Sequence, residues 1–478
     1  MYEQKLWYHR SLIPISAGLL WLYAGMQNGN WWIWTAVPGA LLITTGAGLL
    51  LFAGDRRVQQ FLAFGALLSC PWALPLVFGP GWWWVPLFWG LAALCFTTAG
   101  RASVLFEPHA AEVPQPPLSE LLAAKVAMDD AVVAYFVLAA EIPDAEKCQR
   151  MQNDVETLVG LDQVHGWSSE PDRLHAAPCA LRDIRWSSHR FRGAEYRRIR
   201  FNSGYAPHAE LPGIDSWMQS RANRYGHARV IQHTHAAPWL LCIHGYRMGR
   251  PDLDFSLFDI DWLHHELGFN LLMPILPRHG PRRIGVLSGS GYIDGEITDI
   301  LHAELQAMHD IRSLLAWVRN EPGGERVATL GYSLGGYNAA LLSCFEPALE
   351  AVIAAIPLAD IPAGLWRHMP LQQRRYLVSL GLNVERMQAA LRVVSPLSLR
   401  SRVDTSRLTI IGAAADQVAP PQHALWLRDH WGVPEVKWYP GAHLTVRRER
   451  LVRKYIAGAF ADAGLIAERG TELAASAP

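Results

Sequence analysis

Charge is nearly missing from the first hundred residues. The 478-residue chain carries 43 Lys and Arg and 43 Asp and Glu, yet only Glu3, Lys5, Arg10, Asp55, Arg56 and Arg57 fall there. None occurs from Ser11 to Gly54 or from Val58 to Gly100. Such runs exclude a wholly water-soluble protein and a disordered one. Net charge is absent too, at a formal value of zero. That argues against a nucleic-acid partner, because phosphate binding needs a basic face. Cysteine is scarce: six residues, at 70, 95, 148, 179, 242 and 344, with no CxxC and no paired spacing. A zinc site and a disulfide framework are excluded, and the pattern suits a reducing compartment.

What the first hundred residues do have is apolar length and tryptophan. The two uncharged runs span 44 and 43 residues, and ten of the 20 Trp lie in this part. A membrane helix needs about 20 apolar residues, so each run fits two crossings and a turn. The breaks are Gln27-Asn28-Gly29-Asn30 and Phe78-Gly79-Pro80-Gly81. Four helices are expected at about 11–27, 31–53, 58–78 and 82–100. Trp31, Trp32, Trp34 and Trp82 to Trp84 then stand beside the turns, as an aromatic belt does. A cleaved signal peptide is the alternative reading of the first helix. Lys5, Arg10, Arg56, Arg57 and Arg101 fall on one side of this arrangement. With basic loops inside, an inner or plasma membrane location follows, with the soluble part cytoplasmic. No Asp, Glu, Lys, Arg or His lies within a span, so an anchor is expected rather than an ion path.

Residues 1–104 therefore read as a transmembrane domain of about four helices. Residues 105–190 read as a linker and helical connector. Pro114, Pro116 and Pro117 mark the linker, and helical periodicity from Leu118 to about Val164 is broken at Pro143. Residues 165–190 read as irregular. From 191 to 470 strands and helices alternate. Strands are expected at 196–201, 228–232, 239–243, 270–276, 326–330, 352–356 and 408–412. Helices are expected at 255–267, at 298–320 as a long amphipathic one, and at 337–345. This alternation predicts an α/β fold with a mainly parallel, doubly wound sheet. Residues 471–478 read as a disordered tail.

The chemistry centres on Gly331-Tyr332-Ser333-Leu334-Gly335, a GxSxG between an expected strand and an expected helix. A turn that tight leaves no room for flanking side chains, so Gly331 and Gly335 are required, and it lifts the Ser333 hydroxyl to the sheet edge. A serine needs a base to become a nucleophile, and the base needs an orienting acid. Asp416 stands just past the apolar strand at 408–412, and His443 in the loop Trp438-Tyr-Pro-Gly-Ala-His443. Asp360, just past Ile356-Pro357, is the rival acid. The developing oxyanion needs backbone donors. The expected ones are the amides of Leu334 and of Tyr246, in the run Ile243-His244-Gly245-Tyr246. His244 serves either in substrate binding or in a structural hydrogen bond. Arg247, Arg250, Arg278, His279, Arg282 and Arg283 crowd loops at strand ends, where ligands bind in open α/β sheets. Arg247, Arg278 and His279 would hold an anionic substrate there, or else the arginines fix their loops through salt bridges.

Residues of about 190–470 resemble the α/β-hydrolase superfamily. The matching elements are His-Gly-Tyr at 244–246, Gly-Tyr-Ser-Leu-Gly-Gly at 331–336, the Asp416 loop and the His443 loop, in the chain order Ser, Asp, His. The resemblance implies a serine hydrolase without cofactor or metal. It also implies a helical cap, which residues 361–405 fit. The multi-helix membrane part is not a general feature of that superfamily. The expected activity is cleavage of a carboxylic ester or thioester, of a lipid or another small acyl substrate, by an acyl-enzyme route. A serine peptidase on the same triad and a non-catalytic membrane scaffold are the alternatives.

Overall fold

A computed structural model describes residues 2–140, 143–178, 181 and 183–467. The tail expected at 471–478 lies outside them. The described chain forms two compact units. One comprises Met1–Ala140 with two later segments, Ala413–Pro420 and Pro440–Val446. The other comprises the rest.

The first unit is helical: α1 (Tyr2–Met26), α2 (Trp31–Leu51), α3 (Arg56–Ala73), α4 (Trp84–Phe106) and α5 (Glu120–Ala139). The turns fall where Asn28-Gly29 and Gly79-Pro80-Gly81 interrupt the apolar runs. Asp55 caps α3 through the Arg57 N–H, and Ser119 caps α5 through the Leu122 N–H. Among the described residues three helical stretches are long and apolar enough to cross a membrane: Trp31–Leu51, Arg56–Phe78 and Trp84–Phe106. Small residues set the helix spacing. A Cβ on Gly18 of α1 would stand 2.5 Å from the Gly39 carbonyl of α2. Trp21 stacks on Phe88 at 3.8 Å. The indoles of Trp34 and Trp72 each donate to the other's carbonyl at 2.9 Å, so neither N–H is left bare among apolar groups.

The second unit opens with α6 (Ala145–His165) and is built on a nine-stranded sheet. The strands are β1 (Arg185–Phe191), β2 (Ala194–Asn202), β3 (Tyr225–Ile231), β4 (Trp239–Ile243), β5 (Asn270–Ile275), β6 (Val327–Tyr332), β7 (Ala351–Ala355), β8 (Leu408–Ala413) and β9 (Lys437–Tyr439). Their order is β1-β2-β3-β5-β4-β6-β7-β8-β9. The run β5-β4-β6-β7-β8 is parallel, and β1, β2 and β3 join it antiparallel. The helices are α7 (Ile214–Gln219), α8 (Pro251–Phe258), α9 (Ile297–Val318), α10 (Leu334–Leu342), α11 (Ile361–His368), α12 (Leu371–Ser379), α13 (Val384–Ala390), α14 (Pro421–Trp431) and α15 (Arg450–Asp462). The central strands are buried on both faces, as parallel strands sandwiched by helices are. This is the α/β-hydrolase fold, with α11 to α13 filling the segment expected as a cap.

Three local readings change. Residues 185–191 are not irregular but form edge strand β1, joined to β2 through Arg192 (φ 47°) and Gly193 (φ 90°). Two positive φ values make a primed hairpin turn, and an arginine at its first position hides the usual Asn-Gly signal. The helix expected at 255–267 is split, because Asp259 turns left-handed (φ 44°) after α8 and a π-turn, Asp261–Glu266, follows. The helix expected at 298–320 is α9, but it is buried on nearly every face, including Glu304, Asp310 and Arg312.

Candidate active site

The second unit carries Ser333, the expected nucleophile. Ser333 stands between β6 and α10 with φ 58° and ψ −116°, a conformation that side chains rarely adopt. The bend is held by hydrogen bonds on both sides. The Ser333 N–H donates to Ala355 O at 3.0 Å, and its carbonyl accepts from the Tyr337 N–H at 3.0 Å. The flanking glycines are obligatory on steric grounds. A Cβ on Gly331 would meet the Gly335 carbonyl oxygen at 1.9 Å, and one on Gly335 would meet the Ile243 carbonyl oxygen at 1.9 Å. Leu334 opens α10, so its amide belongs to the helix end whose N–H groups lack intrahelical partners. After β4, a Cβ on Gly245 would stand 3.5 Å from the Ser333 Cβ, so the loop carrying Tyr246 runs beside Ser333.

His244 is buried and spans two loops. Its Nδ1 donates to Gly245 O at 2.8 Å, and its Nε2 accepts the Leu276 N–H at 3.2 Å. Burial holds its basicity below the ordinary imidazole value. His279 is fully buried, with Nδ1 2.9 Å from Pro277 O, and burial holds its basicity well below the ordinary value. The loop arginines are tied to carboxylates and carbonyls. Arg247 pairs with Asp294 at 3.0 Å, and Arg278 with Asp299 at 2.7 Å. Arg282 pairs with Asp310 at 2.8 Å, and the exposed Arg250 with Asp252 at 3.0 Å. The guanidinium of Arg283 donates to Gly280 O at 3.4 Å. A cavity of about 410 Å³ opens beside α10, lined among others by Tyr337, Asp360, Pro362, Gln388 and Arg392.

The first unit carries Asp416 and His443, the expected acid and base. Asp416, three residues past β8, and His443 are both buried, and Asp416 Oδ2 lies 2.7 Å from His443 Nδ1. The other carboxylate oxygen, Oδ1, accepts the N–H groups of Val418 (2.9 Å) and Ala419 (2.7 Å). For His443, burial works against the imidazolium. The Asp416 charge and hydrogen bond and the nearby Asp129 charge outweigh it, so its pKa is raised above the ordinary value. The rival acid, Asp360, is engaged elsewhere. Its Oδ1 accepts from the Ala363 N–H at 2.8 Å, capping α11, and its Oδ2 from Gln388 at 2.5 Å.

One residue of this group was not foreseen. Asp129 of α5 is fully buried, and its carboxylate accepts the backbone N–H groups of Gln417, His443 and Leu444. The signal in the sequence was the pair Asp129-Asp130 inside an otherwise apolar helix. Among the described residues no group of three or more His, Cys, Asp or Glu is arranged to hold a metal ion.

No protein-family model matches the chain. The uncharacterized protein MT2702 of Mycobacterium tuberculosis (strain CDC 1551 / Oshkosh) is 34% identical over 351 residues, which is 72% of this chain and 83% of that protein. The uncharacterized protein Rv2627c of Mycobacterium tuberculosis (strain ATCC 25618 / H37Rv) is 33% identical, also over 351 residues, with the same shares covered. Among solved structures, acetyl xylan esterase 1 from Thermoanaerobacterium sp. JW/SL YS485 superposes with a TM-score of 0.41 and 17% identity. It covers 59% of this chain and 88% of its own.

Proposed function

The chain belongs to one family with the mycobacterial proteins MT2702 and Rv2627c, and we propose that it is a membrane-anchored serine hydrolase that cleaves a carboxylic ester or thioester through an acyl-enzyme. Ser333, His443 and Asp416 form the triad. The observation that carries the reading is the strained Ser333 turn, in which both flanking positions are sterically closed to anything but glycine. A second observation supports it: the buried Asp416–His443 pair, with a carboxylate that orients the imidazole. Chain order supplies the third. Ser333 follows β6 and Asp416 follows β8, and the chain order Ser, Asp, His is that of the superfamily the sequence resembles.

The reaction proceeds in two halves. Ser333 Oγ attacks the carbonyl carbon while His443 Nε2 takes its proton. The carbonyl oxygen, now negative, is held by the Leu334 and Tyr246 amides. His443 returns the proton to the leaving alcohol or thiol, the C–O or C–S bond breaks, and the acyl group stays on Ser333. Water, deprotonated by the same imidazole, then frees the acid and restores the serine. The substrate is a small or lipid ester. The apolar N-terminal helices hold the enzyme at the membrane, which concentrates it where amphipathic esters collect. The basic residues toward the helix ends, Lys5, Arg10, Arg56, Arg57 and Arg101, favour a cytoplasmic side for the catalytic part.

The test is activity-based labelling of the full chain in detergent with a fluorophosphonate, alongside a panel of neutral and phosphate-bearing esters. Labelling and turnover should both vanish in Ser333→Ala. A wild-type protein inert to probe and panel, or a Ser333→Ala protein still labelled, removes the reading.

A further inference from the structure

The carboxylate of Asp129 joins three backbone amides from two distant loops. Oδ2 accepts from His443 at 2.7 Å and from Gln417 at 3.2 Å, and Oδ1 accepts from Leu444 at 3.0 Å. Gln417 directly follows the acid, and His443 is the base. An apolar contact accompanies the polar one. Leu122 and Val126, two turns and one turn earlier on the same helix face, pack with Ala415 and Ala442, the residues just before Asp416 and His443. Each loop is thus docked on α5 by a methyl group and by an amide.

The helix itself is fixed from behind. Ser103 Oγ of α4 lies 2.5 Å from Asp130 Oδ2 and 3.2 Å from Gln59 Oε1 of α3. Gly100 lets α4 close on α5, since a Cβ there would stand 1.8 Å from the Ala123 carbonyl oxygen. A buried carboxylate that only met backbone amides would be an expensive way to tether a loop. Burial and the Asp416 charge push the Asp129 pKa up to about 7, and once ionised the carboxylate also faces the imidazole that becomes cationic in the proposed reaction.

We infer that Asp129 is a positioning residue of the catalytic centre. It ties the Asp416 and His443 loops to α5, so the N-terminal helices complete the acid–base half of the site as well as anchoring the chain. This rests on the triad reading above. The ionisable groups that face Asp129 are Asp416 from the acid loop and His443 from the base loop. On its own helix Lys125 and Asp130 are the neighbouring charges, and Arg101 of α4 is paired with Glu120.

The experiment uses the full chain in detergent and measures the fluorophosphonate labelling rate against pH, with thermal unfolding in parallel. Asp129→Ala should label about 10²-fold more slowly, the order expected when a reacting group is misplaced by about 1 Å. Asp129→Asn keeps the shape, loses the charge and forces an NH₂ group or a neutral oxygen toward the amides. It should also label slowly, and its acidic limb should move to lower pH, because one of the charges that favours the His443 imidazolium is gone. Asp129→Glu should recover the limb more than the rate. If the alanine variant does not fold, the nearly isosteric asparagine variant carries the test. An Asp129→Asn protein with wild-type rate and limb overturns the inference, whatever its melting temperature. Labelling that survives Ser333→Ala instead removes the hydrolase reading on which the inference stands.

Discussion

His443 Nδ1 lies 2.7 Å from Asp416 Oδ2, with both side chains buried. A carboxylate can only accept, and Asp416 Oδ1 already takes two backbone N–H groups. The imidazole proton therefore sits on Nδ1, which leaves the Nε2 lone pair for a hydroxyl proton. Asp416→Asn would offer an NH₂ group to Nδ1 and select the wrong tautomer. Labelling and ester turnover should fall about 10⁴-fold with the fold intact. Asp360→Asn is the matched control. It disturbs the α11 cap and the Gln388 contact and should leave the labelling rate within a few fold of wild type. The reverse ranking of the two variants would transfer the acid role to Asp360.

Much of this arrangement is legible in the sequence, because the elbow is a local object. Gly331, Ser333 and Gly335 are needed within five residues, and a strand and a helix flank them. Asp416 and His443 are legible for a related reason: each follows an apolar strand or stands in a glycine-containing loop. The Asp129 clamp is not legible, since its amide partner at His443 is 314 residues away and any residue type supplies an amide. Edge strand β1 is hidden by its largely polar run, Arg185-Trp-Ser-Ser-His-Arg190, and by its Arg192-Gly193 turn. The buried charges of α9 escape notice because helical periodicity reports one covered face, whereas this helix is covered on nearly all of them.

The pH dependence of the site follows from His443. Its pKa lies above the ordinary 6.5: burial alone would lower it, and the Asp416 and Asp129 carboxylates reverse that. Only the neutral imidazole accepts a proton, so labelling should rise with pH through an apparent pKa above 6.5. Stability runs the other way. A histidine whose folded pKa is raised contributes stability that is fully present below its unfolded pKa and is lost as pH rises through the folded one. Activity should therefore be gained over the window in which this contribution fades. Labelling rates and melting temperatures from pH 5 to 9, for wild type and His443→Ala, would show the two trends. An acidic limb at or below 6.5 would mean that the carboxylates do not act on the imidazole as argued.

Glu304 on α9 gives a second pH signature, in stability alone. It is fully buried, and burial raises its pKa to about 8, with Tyr292 and Asn338 acting in the opposite direction. At neutral pH the folded protein holds a proton that the unfolded chain has released. Stability should therefore decline from the unfolded carboxyl pKa up to about 8, by up to about 1.4 kcal/mol per pH unit. Glu304→Gln keeps the shape and removes the proton, so its melting curve should lose that slope and cross above wild type at alkaline pH. Parallel curves for the two proteins would show that Glu304 does not hold its proton.

Two glycine-to-alanine changes should have opposite signs. At Gly335 the new Cβ would stand 1.9 Å from the Ile243 carbonyl oxygen, which is backbone and cannot rotate away. Relief requires α10 and the end of β4 to part, at about 1–3 kcal/mol or more by the usual cost of overpacking. Ser333 precedes one side of that gap and Tyr246 follows the other, so the proposed nucleophile and oxyanion donor separate. Labelling should fall far more steeply than the melting temperature. At Gly458, inside α15, a Cβ meets nothing within 4 Å. Alanine there should stabilise the protein by about 0.5–1 kcal/mol through helix propensity and leave labelling unchanged. Measuring both variants for melting and for labelling separates the two effects. A Gly335→Ala enzyme that labels at the wild-type rate would show that the elbow tolerates a methyl group, and the steric case for the nucleophile would fail with it.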